Sequence, residues 1–124
     1  MKKHLSFLVI ICFIVSAFPN TSNATELPQD VLEETLIILL QSPILSVVGV
    51  DWFRGNEKIL EIKQVEENSD IFYVTVQVVT FQGPHNPPFM QEIITFRIEG
   101  NKVKPIDYFN RVIPKSEWHK FQIQ

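Results

Sequence analysis

The stretch from Val74 to Ile98 reads VTVQVVTFQGPHNPPFMQEIITFRI. It consists of two runs rich in β-branched and aromatic residues, separated by a loop with three prolines, Gly83–Phe89. Both runs alternate apolar with polar residues, a pattern typical of half-buried antiparallel strands. The stretch therefore predicts two neighbouring strands around which the rest of the chain packs.

Alternating patterns also flank this pair of strands, so that four strands are predicted in all. They run over Lys58–Glu66, Ile71–Gln82, Gln91–Glu99 and Val103–Val112. Short polar turns between them favour an antiparallel meander. Pro105 places the last strand at an edge of the sheet, because proline cannot donate a ladder hydrogen bond.

The hydrophobic pattern predicts the register of both outer hairpins. In the first hairpin, Leu60 and Ile62 would point inward. In the last, Ile106 and Tyr108 would point inward, and Asp107 would lie diagonal to Arg97 within reach of an ion pair. The predicted pairs are Leu60–Val76, Ile62–Val74, Ile106–Phe96 and Tyr108–Ile94.

Two helices are predicted before the strands. The first, Gln29–Gln41, has acidic residues in its early turns and a broad apolar face that we expect to be well buried against the sheet. Ser42-Pro43 interrupts the pattern. A second helix would run from Pro43 to about Phe53, with Gly55 ending it in a left-handed turn. The alternative is a bent continuation of the first helix.

Two helices followed by a four-stranded antiparallel meander predict an α+β fold, with the helices packed on one face of a curved sheet. Cystatin-like and nuclear-transport-factor-like folds share this arrangement, an analogy that concerns fold alone. Residues 25–112 form the predicted single domain, and residues 113–124 form a C-terminal tail. In that tail we expect Trp118 and Phe121 to pack on the body and Ile123-Gln124 to fray.

The first 24 residues have the layout of a secretory signal peptide. A basic head, Lys2-Lys3-His4, precedes the apolar run Leu5–Phe18, and small residues follow at Ser22-Asn23-Ala24. We expect this segment to be a helix that packs on little and is cleaved between Ala24 and Thr25, with Ala17 as an alternative. The protein is therefore predicted to be secreted or cell-wall associated, without a membrane contact after cleavage.

Composition excludes further classes of function. Cys12, the single cysteine, lies in the apolar run, so the mature chain can form no disulfide. Without Lys2 and Lys3 the chain keeps nine Lys and Arg residues against 14 Asp and Glu, a net charge of −5. Nucleic acid and anionic lipid are poor partners for such an acidic domain.

The run Phe81–Pro88, FQGPHNPP, followed by Glu92–Phe96, resembles the signature of a protein family. The family is domain of unknown function 3888, a group of short exported proteins from spore-forming bacteria. The resemblance covers residues 28–112, and Pro84 departs from the small residue that members carry there. It implies export to the wall or medium, and it supplies no activity, cofactor or catalytic residue.

The loop contains the first candidates for binding. Its glycine and prolines stiffen it, so His85, Asn86 and Phe89 could form a presented recognition loop. The alternative is a wide connection in which His85 and Asn86 bond to backbone groups of the loop itself. Arg97 and Asp107 are further binding candidates, as part of either a ligand cleft or a solvated polar face.

No catalytic residue, cofactor or metal site is predicted, and His85 and His119 lack ligand spacing. The leading hypothesis is a non-enzymatic exported binding or interaction module, with an unknown protein or a cell-wall ligand as partner. The alternative is an exported hydrolase, which needs a closed pocket with at least two convergent titratable groups. A minor alternative, from Gln77-Val78-Val79, is a cystatin-like protease inhibitor. The sequence leaves the oligomeric state open.

Overall fold

The computed structural model describes residues 26–84 and 86–124. The predicted signal-peptide helix, its cleavage site at Ala24 and Thr25, and His85 lie outside the described residues. Two helices precede a four-stranded antiparallel sheet, which confirms the predicted α+β fold. The elements are α1 (Gln29–Leu39), α2 (Gln41–Val48), β1 (Phe53–Gln64), β2 (Ile71–Phe81), β3 (Phe89–Glu99), β4 (Lys102–Val112) and a 3-10 helix (Lys115–Phe121).

The two helices form a nearly continuous pair, bent by 54° at Leu40. Pro43 explains the bend, because it has no N–H to donate to the carbonyl of Leu39 and its ring crowds that carbonyl. The bent-continuation alternative is thus correct. The prediction that Gly55 ends the second helix was wrong, since Gly49 ends it at a φ of 85° and Gly55 lies in β1. Within the described residues no single helix is long and apolar enough to span a bilayer, although the bent pair together would be.

The strands pair in the order β1-β2-β3-β4, so the predicted meander and the edge position of β4 are confirmed. Side chains alternate between two faces. The helix face carries the buried residues Val74, Val76, Val78, Ile94 and Phe96, against which Leu40 and Ile44 pack. The opposite side, here called the outer face, carries the alternate residues of each strand.

The observed strand pairing differs from the predicted register at two bulges. Ile62 pairs with Val74 as predicted, but Ile59 takes the place expected for Leu60 opposite Val76. The irregularity leaves Leu60 as an extra, exposed residue. A bulge adds one residue to a strand without moving the core residues on either side to the wrong face.

The last hairpin shows the same effect. Tyr108 pairs with Ile94 as predicted, whereas Pro105 lies opposite Phe96 and Ile106 is the extra residue. The prediction that Ile106 points inward opposite Phe96 was therefore wrong, and its side chain is exposed.

The prediction that the first helix is well buried was also wrong, because α1 has no buried residue. Its apolar residues surround most of the helix, and only one side can face the sheet. Leu36 packs against the main core from that side.

A second core lies on the outer face of the sheet. Its buried residues are Val79, Phe89 and Ile113, and Trp118, Phe121 and Ile123 pack against them from the C-terminal segment. This confirms the predicted packing of Trp118 and Phe121. Ile123 does not fray as predicted, because it joins this core and its N–H donates to the carbonyl of Trp118 at 3.1 Å.

Candidate functional site

A groove of about 460 Å³ lies between the C-terminal segment and the ends of β1 and β2. Val79, Phe81 and Phe89 supply apolar surface on the sheet side, and Ile123 lies on the C-terminal side. Polar residues complete the lining: Arg54, Asn56, Gln122 and Gln124. Mostly apolar walls with a few polar groups, at this volume, are typical of small-ligand sites.

Aromatic packing fixes one wall of the groove. The Phe81 ring stacks on Phe53 at 5.9 Å and lies 6.0 Å from the Phe89 ring. Phe89 in turn meets the edge of Trp118 at 5.0 Å. The wall is therefore held by rings from three strands and the 3-10 helix, a rigid arrangement that loses little entropy on binding.

Gly55 keeps part of the groove open. A β-carbon built on it would be 3.8 Å from a ring carbon of Phe81, an ordinary van der Waals distance. Its backbone does not need a glycine either, since its φ lies outside the left-handed region. A glycine within a strand often marks a place where another group approaches closely.

Hydrogen bonds attach the C-terminal segment to the sheet. Arg111 Nε donates to Gln91 at 2.6 Å and Arg111 Nη2 donates to Glu117 at 2.6 Å. Gln91 then donates to Gln77 at 2.7 Å. Asn56 donates from β1 to the carbonyl of Phe121 at 2.8 Å. These contacts hold the 3-10 helix, and with it the C-terminal wall of the groove.

The charge on Glu117 is stabilised by this arrangement. The hydrogen bond from Arg111 lowers the pKa of Glu117 below its ordinary value, and the positive charge of Arg111 acts in the same direction. The pKa of Arg111 is raised by the same hydrogen bond. Both groups are therefore ionised at neutral pH.

The predicted loop meets the groove at one end. Phe89 is 4% exposed and belongs to the second core, so its ring could contact a ligand only within the groove. Asn86 is exposed; its N–H donates to the carbonyl of Gly83 at 3.2 Å, and its side chain lies close over that glycine. A β-carbon on Gly83 would come within 3.1 Å of Asn86 Nδ2. The contact role predicted for Asn86 and Phe89 stays a prediction.

Arg97 and Asp107 lie far from the loop. Arg97 is eight positions from Phe89 along β3, about 26 Å at the rise of a strand. Arg97 pairs with Glu99 at 2.5 Å, while Asp107 accepts the N–H of Tyr108 at 2.9 Å. Asp107 lies opposite Thr95, as the predicted register requires, but the predicted Arg97–Asp107 ion pair was wrong because Arg97 pairs with Glu99 instead. The candidate residues from the sequence do not converge on one site.

Glu92 is a buried carboxylate on the helix face, 5% exposed. It accepts hydrogen bonds from the hydroxyls of Thr80 at 2.8 Å and Tyr108 at 2.6 Å. Burial raises the pKa of Tyr108 to about 12, and the hydrogen bond to Glu92 adds to the shift. Both carboxylate oxygens thus have donors, and the cluster joins β2, β3 and β4.

A second, open groove of about 350 Å³ is lined by four ionisable side chains of the described residues. They are Glu33, Glu57, Lys58 and Lys120. Glu33 already accepts the N–H of Ile59 at 2.8 Å. Among residues 26–84 and 86–124, no cluster of histidines, cysteines or carboxylates could hold a metal ion.

Sequence reasoning missed the groove because one of its walls comes from the segment that was predicted to be a tail. A 3-10 helix of seven residues gives no clear periodic signal. Trp118, Phe121 and Ile123 could have indicated it, because three large apolar residues in a short polar segment need a surface to cover.

Comparison with known families gave one result that covers most of the fold. A family model described as protein of unknown function (DUF3888) matches residues 29–111. Searches of curated proteins and of solved structures found no match. The matched range covers both helices and all but the last residue of the sheet.

Proposed function

The chain belongs to the DUF3888 family, whose function is unknown, and we propose that it is an exported binding protein. Its site is the groove between the C-terminal segment and the ends of β1 and β2. The ligand is a peptide or cell-wall component that inserts an apolar, ring-sized group against Phe81 and Phe89. Export rests on the signal-peptide pattern of the first 24 residues.

The observation that carries this proposal is the composition of the groove. Val79, Phe81 and Phe89 line the groove from the sheet side; Val79 and Phe89 are buried, and Phe81 is partly exposed. A lining that is mostly apolar and contains a few polar groups, at a volume of about 460 Å³, favours a binding role.

Arg54 decides which end of a ligand carries the polar group. It is the one ionisable side chain among the described residues that line the groove. One of its nitrogens donates to the carbonyl of Gln41 at 3.3 Å on the helix face, so a ligand in the groove would meet the remaining N–H groups around the edge strand β1. We therefore expect the ligand to present a carboxylate or a carbonyl oxygen toward Arg54.

N-acetylphenylalanine is a suitable probe, because it combines one aromatic ring with one carboxylate. With about 15 non-hydrogen atoms at about −0.3 kcal/mol each, its expected Kd is roughly 0.5 mM. Ligand-detected NMR with purified protein measures affinities of this size. The corresponding amide should bind more weakly, since it lacks the negative charge that Arg54 would meet.

Gly55→Val is the test variant and Phe109→Ala is the matched control. A β-carbon at position 55 would lie at van der Waals distance from Phe81, so a valine there would occupy part of the groove, and valine suits a strand. Phe109 is an aromatic residue exposed on β4, outside the groove. We expect at least tenfold weaker binding for Gly55→Val and wild-type binding for Phe109→Ala. Equal binding by Gly55→Val and wild type, or no saturable binding at all, would overturn the proposal.

A further inference from the structure

Among residues 26–84 and 86–124, nothing packs on the outward side of α1, which is apolar. Along this helix Val31 is 50% exposed, Leu32 42%, Ile38 63% and Leu39 71%. Ile62 of β1, which lines one shallow groove together with Leu32, is 57% exposed. These five residues are called the α1 strip below.

Helix geometry makes the strip continuous. At 100° per residue, Val31, Leu32, Ile38 and Leu39 fall on one side of α1, with Thr35 at their centre. Glu33 and Leu36 fall on the other side, toward the sheet, where Glu33 accepts the N–H of Ile59. The Thr35 hydroxyl donates to the carbonyl of Val31 at 2.7 Å, so it needs no external partner. The hydroxyl at the centre of the strip is therefore already hydrogen-bonded within the helix.

The size of the strip fits the apolar centre of a stable interface. With about 170 Å² for a fully exposed aliphatic residue, somewhat below an aromatic one, the five residues expose roughly 500 Å². A standard interface covers about 800 Å² on each partner, of which about 60% is apolar. The strip would supply that share almost completely.

The charges beside the α1 strip indicate which kind of partner could cover it. The acidic residues Asp30 and Glu34 border the strip, and α1 contains no Lys or Arg. Helices that lie on membrane surfaces are rich in basic residues, so a lipid surface does not fit. A second copy does fit, because no member of the strip is charged and two strips can face each other without opposing like charges. Strongly apolar interfaces are also characteristic of permanent homodimers.

We propose that the α1 strip is the interface of a homodimer. In this dimer α1 packs antiparallel on the α1 helix of the second copy, with the two-fold axis near Thr35. Each copy covers the apolar side that its own sheet cannot reach, which explains why α1 carries apolar side chains on the side away from the sheet. This inference does not depend on ligand binding in the groove.

Analytical ultracentrifugation of protein expressed from the full-length chain tests the oligomeric state. Wild type should sediment as a dimer within the range of about 1 to 200 µM. Ile38→Glu combined with Leu39→Glu should weaken the dimer at least tenfold, since it places charges at the centre of the contact. Both side chains are exposed in the monomer, so the fold should be kept, as circular dichroism would show. Phe109→Glu, on the outer face, should leave the dimer unchanged.

Disulfide trapping locates the axis. In a Cys12→Ser background, Thr35→Cys should form a covalent dimer under mild oxidation, whereas Asn101→Cys, in the turn between β3 and β4, should not. A wild-type monomer at all concentrations would overturn the proposal, as expected if another segment or another protein covers the strip. A dimer that survives the double glutamate variant, or equal trapping at both cysteine positions, would do so as well.

Discussion

Truncation of Trp118 to alanine tests the packing of the C-terminal segment on the sheet. The Trp118 ring meets Phe89 edge-on at 5.0 Å, and its Nε1–H donates to the carbonyl of Ile113 at 3.2 Å. The ammonium of Lys115 lies 5.9 Å from the centre of the ring. Trp118→Ala removes all of these contacts and exposes part of the second core.

The expected loss of stability follows from these contacts. Full truncation of a core Trp costs about 3–5 kcal/mol. Trp118 is half-buried, so about 2–3 kcal/mol is expected, including about 1 kcal/mol for the hydrogen bond. For a domain of this size the change should lower Tm by about 10–20 °C. Trp118→Phe keeps most of the apolar contact and should lose about half as much.

Urea unfolding followed by far-UV circular dichroism measures both variants, because this signal does not depend on Trp118. An unchanged slope with a lower midpoint would show that stability alone has changed. Ile106→Ala is a suitable control, since Ile106 is an exposed bulge residue on β4 and should change stability by less than about 0.5 kcal/mol. A loss below about 0.5 kcal/mol for Trp118→Ala would show that the segment does not pack on the sheet.

Three further predictions concern single contacts. The folded-state pKa of Glu117 is lowered, so its contribution to stability is complete above the ordinary value of 4.5 and is lost as pH falls through the folded-state pKa. Glu117→Gln should therefore lower the urea midpoint at pH 7, and its difference from wild type should shrink as the pH is lowered below 4.5. A difference that does not change with pH would contradict the ion pair. Glu92→Gln should lower the pKa of Tyr108 from about 12. Tyrosinate absorbance measures this pKa in a Tyr73→Phe background, where Tyr108 is the single tyrosine. An unchanged titration would rule out the hydrogen bond. Gly100→Ala should lower the free energy of unfolding by about 1 kcal/mol in thermal unfolding, because Gly100 has a φ of 58°. A β-carbon there would have no neighbour within 4 Å, so no new contact would offset this loss. An unchanged stability would mean that the turn has a different conformation.

The strands and their order could be predicted because hydrophobic alternation directly reflects burial on one face of a sheet. Val74, Val76, Ile94 and Phe96 alternate without exception, and all are buried. Bulges, in contrast, could not be predicted from this alternation. An extra residue such as Leu60 leaves the local pattern apolar, so the sequence offers no sign that the register changes there.

The helices show a second limit of sequence reasoning. An apolar helix predicts that something covers it, and the simplest expectation is the sheet of the same chain. In α1 the sheet covers one side alone, and the exposed fraction of Leu39 becomes known only from the packing. Composition cannot distinguish burial within a chain from burial between chains.

The candidate site was only partly predictable for a related reason. Phe89 was selected because it follows a stiff loop, and it does line the groove. The other wall comes from residues more than 30 positions later in the sequence, Gln122–Gln124. Such long-range proximity depends on the register of four strands and on the hydrogen bonds of Arg111, which no local pattern indicates.

A crystal structure of the protein soaked with N-acetylphenylalanine tests the proposed binding function most directly. The phenyl ring should lie in the groove against Phe81 and Phe89, with the carboxylate toward Arg54. A probe bound elsewhere, for example on the α1 strip or over the exposed Asn86, with the groove left empty at saturating concentration, would contradict it.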